Sequence, residues 1–213
     1  YQVVMRDIED RFVEGGLKAI EKFLAKSVEK GKMTGDQKKE ILTRIKGTTR
    51  MEDLMDVDFV IEAVFEDLDL KKNVFKQLDE LTRSHVILTT NTSSMSVTEI
   101  AMATKRPEKV AGMHFFNPAQ IMKLVEVIRG FHTNDETVRT VMEMSRRMGK
   151  EPVEVKKDTP GFIVNRLLMP HFVEAIKMAE EGIASIEDID KAVKLGLNYP
   201  MGPFELMDLT GVD

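Results

Sequence analysis

The order of apolar and polar positions divides the chain into short buried runs and longer helical stripes. Gln2 to Met5 is an apolar run closed by Asp7, too short for a helix, and reads as a strand. From Asp10 to about Glu29, apolar residues recur at Val13, Leu17, Ile20, Leu24 and Val28, a helical period. Gly15-Gly16 lies inside that helix and costs it up to ~1 kcal/mol per glycine relative to Ala. Close packing against a neighbouring backbone would explain the pair. Thr34-Gly-Asp-Gln37 has the form of a capping box and predicts a second helix through about Ile45.

Strands and helices then alternate. Asp58 to Phe65, Val86 to Thr90, Val110 to Phe116 and Leu124 to Ile128 are apolar, branched runs of strand length. Leu68 to Leu81, Val97 to Ala103 and Glu136 to Met148 have helical spacing, the last ended by Gly149. Such alternation implies an α/β fold with a mostly parallel sheet covered on both faces. Thr159-Pro160-Gly161 changes the character. Thr as N-cap and Pro at the first helical position predict a helix to about Glu181, stopped by Gly182 and kinked at Pro170. Ile186 to Leu195 and Pro203 to Leu209 are further helices, and no strand pattern follows Pro160. The expected division is an α/β domain over 1–157 and the start of an all-helical domain over 158–213.

Composition narrows the function classes. The 213 residues suffice for one domain or one and a part, and 42% hydrophobic with 31% charged residues is ordinary for a globular protein. The absence of cysteine excludes a disulfide scaffold, zinc thiolates and a thiol nucleophile. No apolar run reaches the ~18 residues of a membrane span. A net charge of −5 argues against nucleic acid or an anionic membrane as the main partner. A cytoplasmic location is expected. The chain opens on Tyr1 and ends at Asp213 without a closing element, so it reads as a fragment, and any targeting peptide would precede Tyr1.

Five features could carry chemistry. Asp7 follows a strand and precedes a helix, as does the acid that binds ribose hydroxyls in a dinucleotide fold; the alternative is a helix N-cap or surface acid. Asn91-Thr-Ser-Ser94 follows a buried strand, where substrates bind in open α/β sheets, or is a polar turn capping the next helix. His114 stands on an apolar strand, where a lone His is usually a satisfied core residue. Glu126 stands among Leu124, Val125, Val127 and Ile128, and a carboxylate buried there needs a partner. A His on a neighbouring strand would serve, and the pair would make a general base for an alcohol. Alternatively, Glu126 faces water from an edge strand. Asn165 is either a buried amide in need of partners or an exposed residue beside Arg166. Lys18, Lys22, Lys26 and Lys30 wind around the first helix as a stripe that could hold a polyanion, or are a solvated face.

Taken together, Asn91-Thr-Ser-Ser94, His114-Phe-Phe-Asn-Pro118, Met122-Lys-Leu-Val-Glu-Val-Ile128, Asp158-Thr-Pro-Gly-Phe-Ile-Val-Asn-Arg166 and Tyr199-Pro-Met-Gly-Pro-Phe-Glu205 resemble the L-3-hydroxyacyl-CoA dehydrogenase family, and within it the short-chain 3-hydroxybutyryl-CoA dehydrogenases. The resemblance covers essentially the whole chain. It implies a Rossmann-like NAD-binding domain followed by a helical domain that dimerises. It also implies that the first strand and its Gly-rich phosphate loop lie outside the chain, so that the chain alone binds NAD weakly.

By the same resemblance, His114 is the general base, Glu126 orients it, and Ser93 and Asn165 hold the substrate's 3-oxygen. Asp7, Glu66, Lys71, Ser93 and Asn117 belong to the NAD site, and Phe23, Lys30 and Ser93 contact the CoA ester. No metal is implied. The expected activity is interconversion of L-3-hydroxyacyl-CoA and 3-oxoacyl-CoA with NAD. Two rival readings are a dehydrogenase of a free hydroxy acid or sugar acid, and an inactive structural fragment.

Overall fold

The computed structural model describes residues 1–211. Among these residues seven strands and eight α-helices follow one another: β1 (Val3–Arg6), α1 (Asp10–Glu29), α2 (Gly35–Thr43), β2 (Ile45–Thr48), β3 (Phe59–Glu62), α3 (Leu68–Leu81), β4 (Ile87–Thr90), α4 (Val97–Ala101), β5 (Val110–Phe115), β6 (Leu124–Ile128), α5 (Asp135–Arg147), β7 (Glu151–Val155), α6 (Val164–Glu180), α7 (Ile186–Gly196) and α8 (Pro203–Thr210). β1 and β2 pair in parallel as a two-stranded sheet. The other strands form one sheet in the order β3-β4-β5-β6-β7. Within it only β5 and β6 run antiparallel.

Strand alternation divides the core between the two faces of the large sheet. Val86, Leu88 and Val110 pack with Phe75 and Leu78 of α3 and Ile100 of α4. On the other face Ile87, Ala111, Met113, Val125 and Val127 meet Val138 and Val141 of α5. A third cluster of Val97, Ile128, Val155 and Phe162 ties the segment before α6 to the sheet.

Several expectations are corrected. The second helix ends at Thr43, because Ile45 begins β2. Its capping box is formed: Gln37 N–H donates to Thr34 Oγ1 at 3.1 Å and Thr34 N–H to Gln37 Oε1 at 2.8 Å. β7, which includes Pro152, escaped the pattern; its alternation of Glu and Val reads as weakly apolar, and Val153 remains exposed. Thr159 and Pro160 do not start α6, which begins at Val164 after a turn with Gly161 at φ 74° and Phe162 at φ 49°. Pro170 does lie inside α6.

The glycines of α1 do not meet a neighbouring backbone. A Cβ at Gly15 would touch nothing within 4 Å, and one at Gly16 would touch only the flexible tip of Met5. The close approach lies on the strand instead. A Cβ at Gly47 of β2 would stand 2.5 Å from Val13 Cγ1 and 3.1 Å from Leu17 Cδ1 of α1.

Candidate active site

His114 and Glu126 are direct partners in the antiparallel β5–β6 register. Opposed residues project from the same face, so the pairing itself brings imidazole and carboxylate together. Glu126 Oε2 lies 2.9 Å from His114 Nδ1, and the two side chains are 1% and 7% exposed. Strand β6 is interior, between β5 and β7, which discards the edge-strand reading of Glu126. The other oxygen, Oε1, accepts the backbone N–H groups of Ile163 at 3.1 Å and Val164 at 3.0 Å.

Burial pushes the Glu126 carboxyl upward, but the bond to His114 and the amides of Val164 and Ile163 outweigh it, and the group is held below the usual carboxylate range. An ionised carboxylate can only accept, so His114 Nδ1 donates to Glu126. In the neutral imidazole this tautomer puts the lone pair on Nε2. It has no hydrogen-bond partner among the described residues and is not sealed from solvent.

The turn ahead of α6 supplies the amides. Phe162 is a non-glycine residue in the left-handed region, a conformation that costs of order 1 kcal/mol or more and persists only where packing enforces it. Its buried ring stands edge-on to His114 at 5.6 Å, while Phe116 covers the imidazole at 4.7 Å. This detour aims the next two N–H groups at Glu126. Nothing in the local sequence announced this second clasp on the carboxylate. It needs a turn from one part of the chain and a strand from another.

A second charged cluster lies at the carboxyl ends of β3 and β4. Lys71 of α3 is 1% exposed, with its ammonium 2.9 Å from Glu62 Oε1, 3.4 Å from Glu66 Oε2 and 3.0 Å from the Val64 carbonyl. These partners use its donors, so Lys71 stands behind Glu66 and presents no surface to a cofactor. Glu66 is the outer member. Its Oε1 accepts the Ser93 N–H at 2.6 Å and the Ser93 hydroxyl at 3.2 Å, and Thr92 Oγ1 donates to the same carboxylate. Burial raises the Glu66 pKa, but the Ser93 amide, the Thr92 hydroxyl and the Lys71 charge prevail and hold it below the usual value. Glu62, deep in this cluster, was not a candidate in the sequence, where its place among apolar residues was the available signal.

Glu66 thus holds Ser93 through both its backbone N–H and its hydroxyl, and fixes it just beyond the carboxyl end of β4. Asn91 joins the two halves of the site. Its Oδ1 accepts the Phe115 N–H at 2.8 Å, fastening the end of β5 to the end of β4. Asn117 follows β5 and is exposed. Asn165 is only half-buried in the first turn of α6 and makes no hydrogen bond among the described side chains, so it is not the buried amide considered above. It directly follows the two residues held by Glu126.

Asp7 does not cap α1, whose N-cap is Glu9. It is exposed at the carboxyl end of β1 and accepts the Ile8 N–H at 2.7 Å. No cation lies within 4.0 Å of it among the described residues. A free carboxylate there fits the paired hydroxyls of a ribose and repels a phosphate. Phe23 lies on α1 and Lys30 is its C-cap; both are exposed, and α1 packs on α2 and β2. Lys18 pairs with Glu14, but Lys22, Lys26 and Lys30 have no carboxylate within 4.0 Å among the described residues.

Asp7 follows parallel strand β1 of the small sheet, while Glu66 and Ser93 follow β3 and β4 of the large one and His114 lies near the end of β5; the carboxyl ends of parallel strands are where open α/β sheets bind ligands. Residues 1–159 match the family described as 3-hydroxyacyl-CoA dehydrogenase, NAD binding domain, and residues 161–213 match its C-terminal domain. A 3-hydroxybutyryl-CoA dehydrogenase of Clostridioides difficile is 50% identical over 213 residues, all of this chain and 75% of that protein. The human mitochondrial hydroxyacyl-coenzyme A dehydrogenase is 44% identical over 219 aligned residues, all of this chain and 69% of that one. The crystal structure of a (S)-3-hydroxybutyryl-CoA dehydrogenase from Ralstonia eutropha superposes with a TM-score of 0.95 at 45% identity, covering 98% of this chain and 74% of that chain. Sequence, fold and strand-end chemistry converge, and the chain belongs to the NAD-dependent 3-hydroxyacyl-CoA dehydrogenase family.

Proposed function

We propose that this protein interconverts a short-chain L-3-hydroxyacyl-CoA, of the 3-hydroxybutyryl class, and its 3-oxoacyl-CoA. The observation that carries this reading is the buried His114–Glu126 bond, which engages Nδ1 and leaves Nε2 without a hydrogen-bond partner among the described residues. In the oxidative direction Nε2 takes the proton of the 3-hydroxyl while C3 gives up its hydrogen as hydride and the C–O bond becomes a carbonyl. Bound NAD supplies the hydride acceptor. Glu126 stabilises the imidazolium that forms. The Ser93 hydroxyl and the Asn165 amide position the oxygen, and Asp7, Glu66 and Asn117 face the cofactor. In the reductive direction the imidazolium returns the proton.

Two further parts of the reading concern partners. Phe23 and Lys30 on α1, with Lys22 and Lys26 beside them, suit a ligand that combines an apolar ring with phosphates, as CoA does. Met169, Val173 and Ile176 recur on α6 at helical spacing and are exposed, which supports homodimerisation through the helical part.

The test is steady-state kinetics on the full-length protein with acetoacetyl-CoA and NADH against free acetoacetate. A strong preference for the CoA ester is expected, and equal efficiency with the free acid would overturn the acyl-CoA assignment. Sedimentation of the same protein should give a dimer, and a stable monomer would remove that part of the proposal.

A further inference from the structure

Glu62 takes no part in the proton and oxygen contacts proposed above, yet its carboxylate is buried in the floor beneath them, with its side chain 1% exposed. Oε1 engages Lys71 at 2.9 Å and accepts the Val64 N–H at 2.6 Å, while Oε2 accepts the Thr90 hydroxyl at 2.7 Å. Bulk stability does not call for such a group, because a buried ion pair is commonly replaceable by apolar residues at little loss.

What the pair does settle is which carboxylate Lys71 serves. The ammonium stands between two, nearer to Glu62 at 2.9 Å than to Glu66 Oε2 at 3.4 Å. Glu66 in turn is the group that holds Ser93 by amide and hydroxyl. Without the charge on Glu62, the only anion left within 4.0 Å of the buried ammonium among the described residues is Glu66. Attraction at short range in a low-dielectric site would then draw that carboxylate inward and off Ser93. We infer that Glu62 is a positioning residue: by engaging Lys71 in the core it leaves Glu66 free to hold Ser93, and so sets where the Ser93 hydroxyl stands. The inference rests on the role proposed for Ser93.

Three variants test it: Glu62→Gln, Glu62→Asp and the double variant Glu62→Gln/Lys71→Met. Glu62→Gln should lower kcat by about 10–100-fold with the KM for acetoacetyl-CoA within about threefold, the signature of a displaced positioning group. It should also shift the Ser93 amide proton upfield in NMR spectra, as its bond to the charged carboxylate lengthens. Removing the cation in the double variant should recover most of both changes. Glu62→Asp keeps the charge but withdraws it by one methylene. It should show the same two changes at smaller size, and it decides the matter if Glu62→Gln does not fold.

A loss of thermal stability with kcat and the Ser93 resonance unchanged would overturn the inference. So would a double variant as impaired as Glu62→Gln. Ser93→Ala separates the two levels. If it leaves kcat unchanged while Glu62→Gln still moves the Ser93 resonance, the role of Ser93 fails and the Glu62 geometry stands. If Ser93→Ala lowers kcat and the resonance does not move, the Glu62 inference alone falls.

Discussion

His114 and Glu126 face each other in the β5–β6 ladder, so the bond between Nδ1 and Oε2 follows from strand register and not from loop placement. A register slip of one residue would turn one member to the opposite face of the sheet. A base oriented in this way is held by the same backbone hydrogen bonds that hold the core together.

Replacing Glu126 by Gln should therefore cut kcat while leaving the fold and NAD affinity nearly intact. His114→Ala should cost at least as much, since a positioned base is typically worth ~10²–10⁴ in rate. The double variant should lose little beyond His114→Ala, because groups that act as a unit are not additive. Fully additive losses, measured with acetoacetyl-CoA and NADH alongside circular dichroism, would return the pair to a structural role.

Glu126 also links stability to pH. Its pKa is lowered in the folded protein, so the unfolded chain binds its proton more readily. The stabilisation is complete above the unfolded carboxylate value of about 4.3 and fades as pH falls through the lower folded value. Below about pH 5, Glu126→Gln should flatten the acid limb of the unfolding midpoint against pH. An unchanged acid limb would show that the folded carboxylate is not held low.

The cofactor should be NAD in preference to NADP. Asp7 offers a free carboxylate, and Arg6 is drawn away, with Nε donating to the Thr49 carbonyl at 3.4 Å. Arg11 is paired with Glu9 at 2.8 Å. A 2′-phosphate would thus meet an anion whose two neighbouring arginines in sequence, Arg6 and Arg11, are already engaged, a juxtaposition worth on the order of 10²-fold in efficiency. Asp7→Ser should narrow the preference. Equal kcat/KM for both cofactors in the unaltered protein would refute the assignment.

Two glycines should respond to alanine with opposite signs. At Gly15, exposed in α1 with nothing within 4 Å of a new Cβ, alanine should stabilise by roughly 0.5–1 kcal/mol. At Gly47 the new methyl would collide with Val13 at 2.5 Å, and overpacking of this kind costs about 1–3 kcal/mol. Thermal unfolding of the two single variants reads both signs. A stabilised Gly47→Ala would mean that α1 does not rest on β2 as described.

What the sequence determined by itself was what depends on local periodicity and local chemistry. The 3.6-residue stripe of α1 fell on Asp10–Glu29, and the period of α3 fell on Leu68–Leu81. The isolated Glu126 among aliphatics announced a buried carboxylate before any partner was visible. Its partner was legible as well, because a second apolar strand carried a histidine, His114. Tertiary structure decided the rest. Lys71 looks in sequence like any surface lysine of an amphipathic helix, and only the packing of α3 on β3 turns it inward onto Glu62. The start of α6 read as Thr159-Pro160, since those residues satisfy every local rule for an N-terminus. The packing of Phe162 against Val97, Ile128 and Val155 overrode that rule and moved the helix to Val164. Local signals report which conformations a segment tolerates. Which one it takes is set by contacts between residues far apart in the chain, and these place two backbone amides on Glu126 and a buried ammonium beneath Glu66.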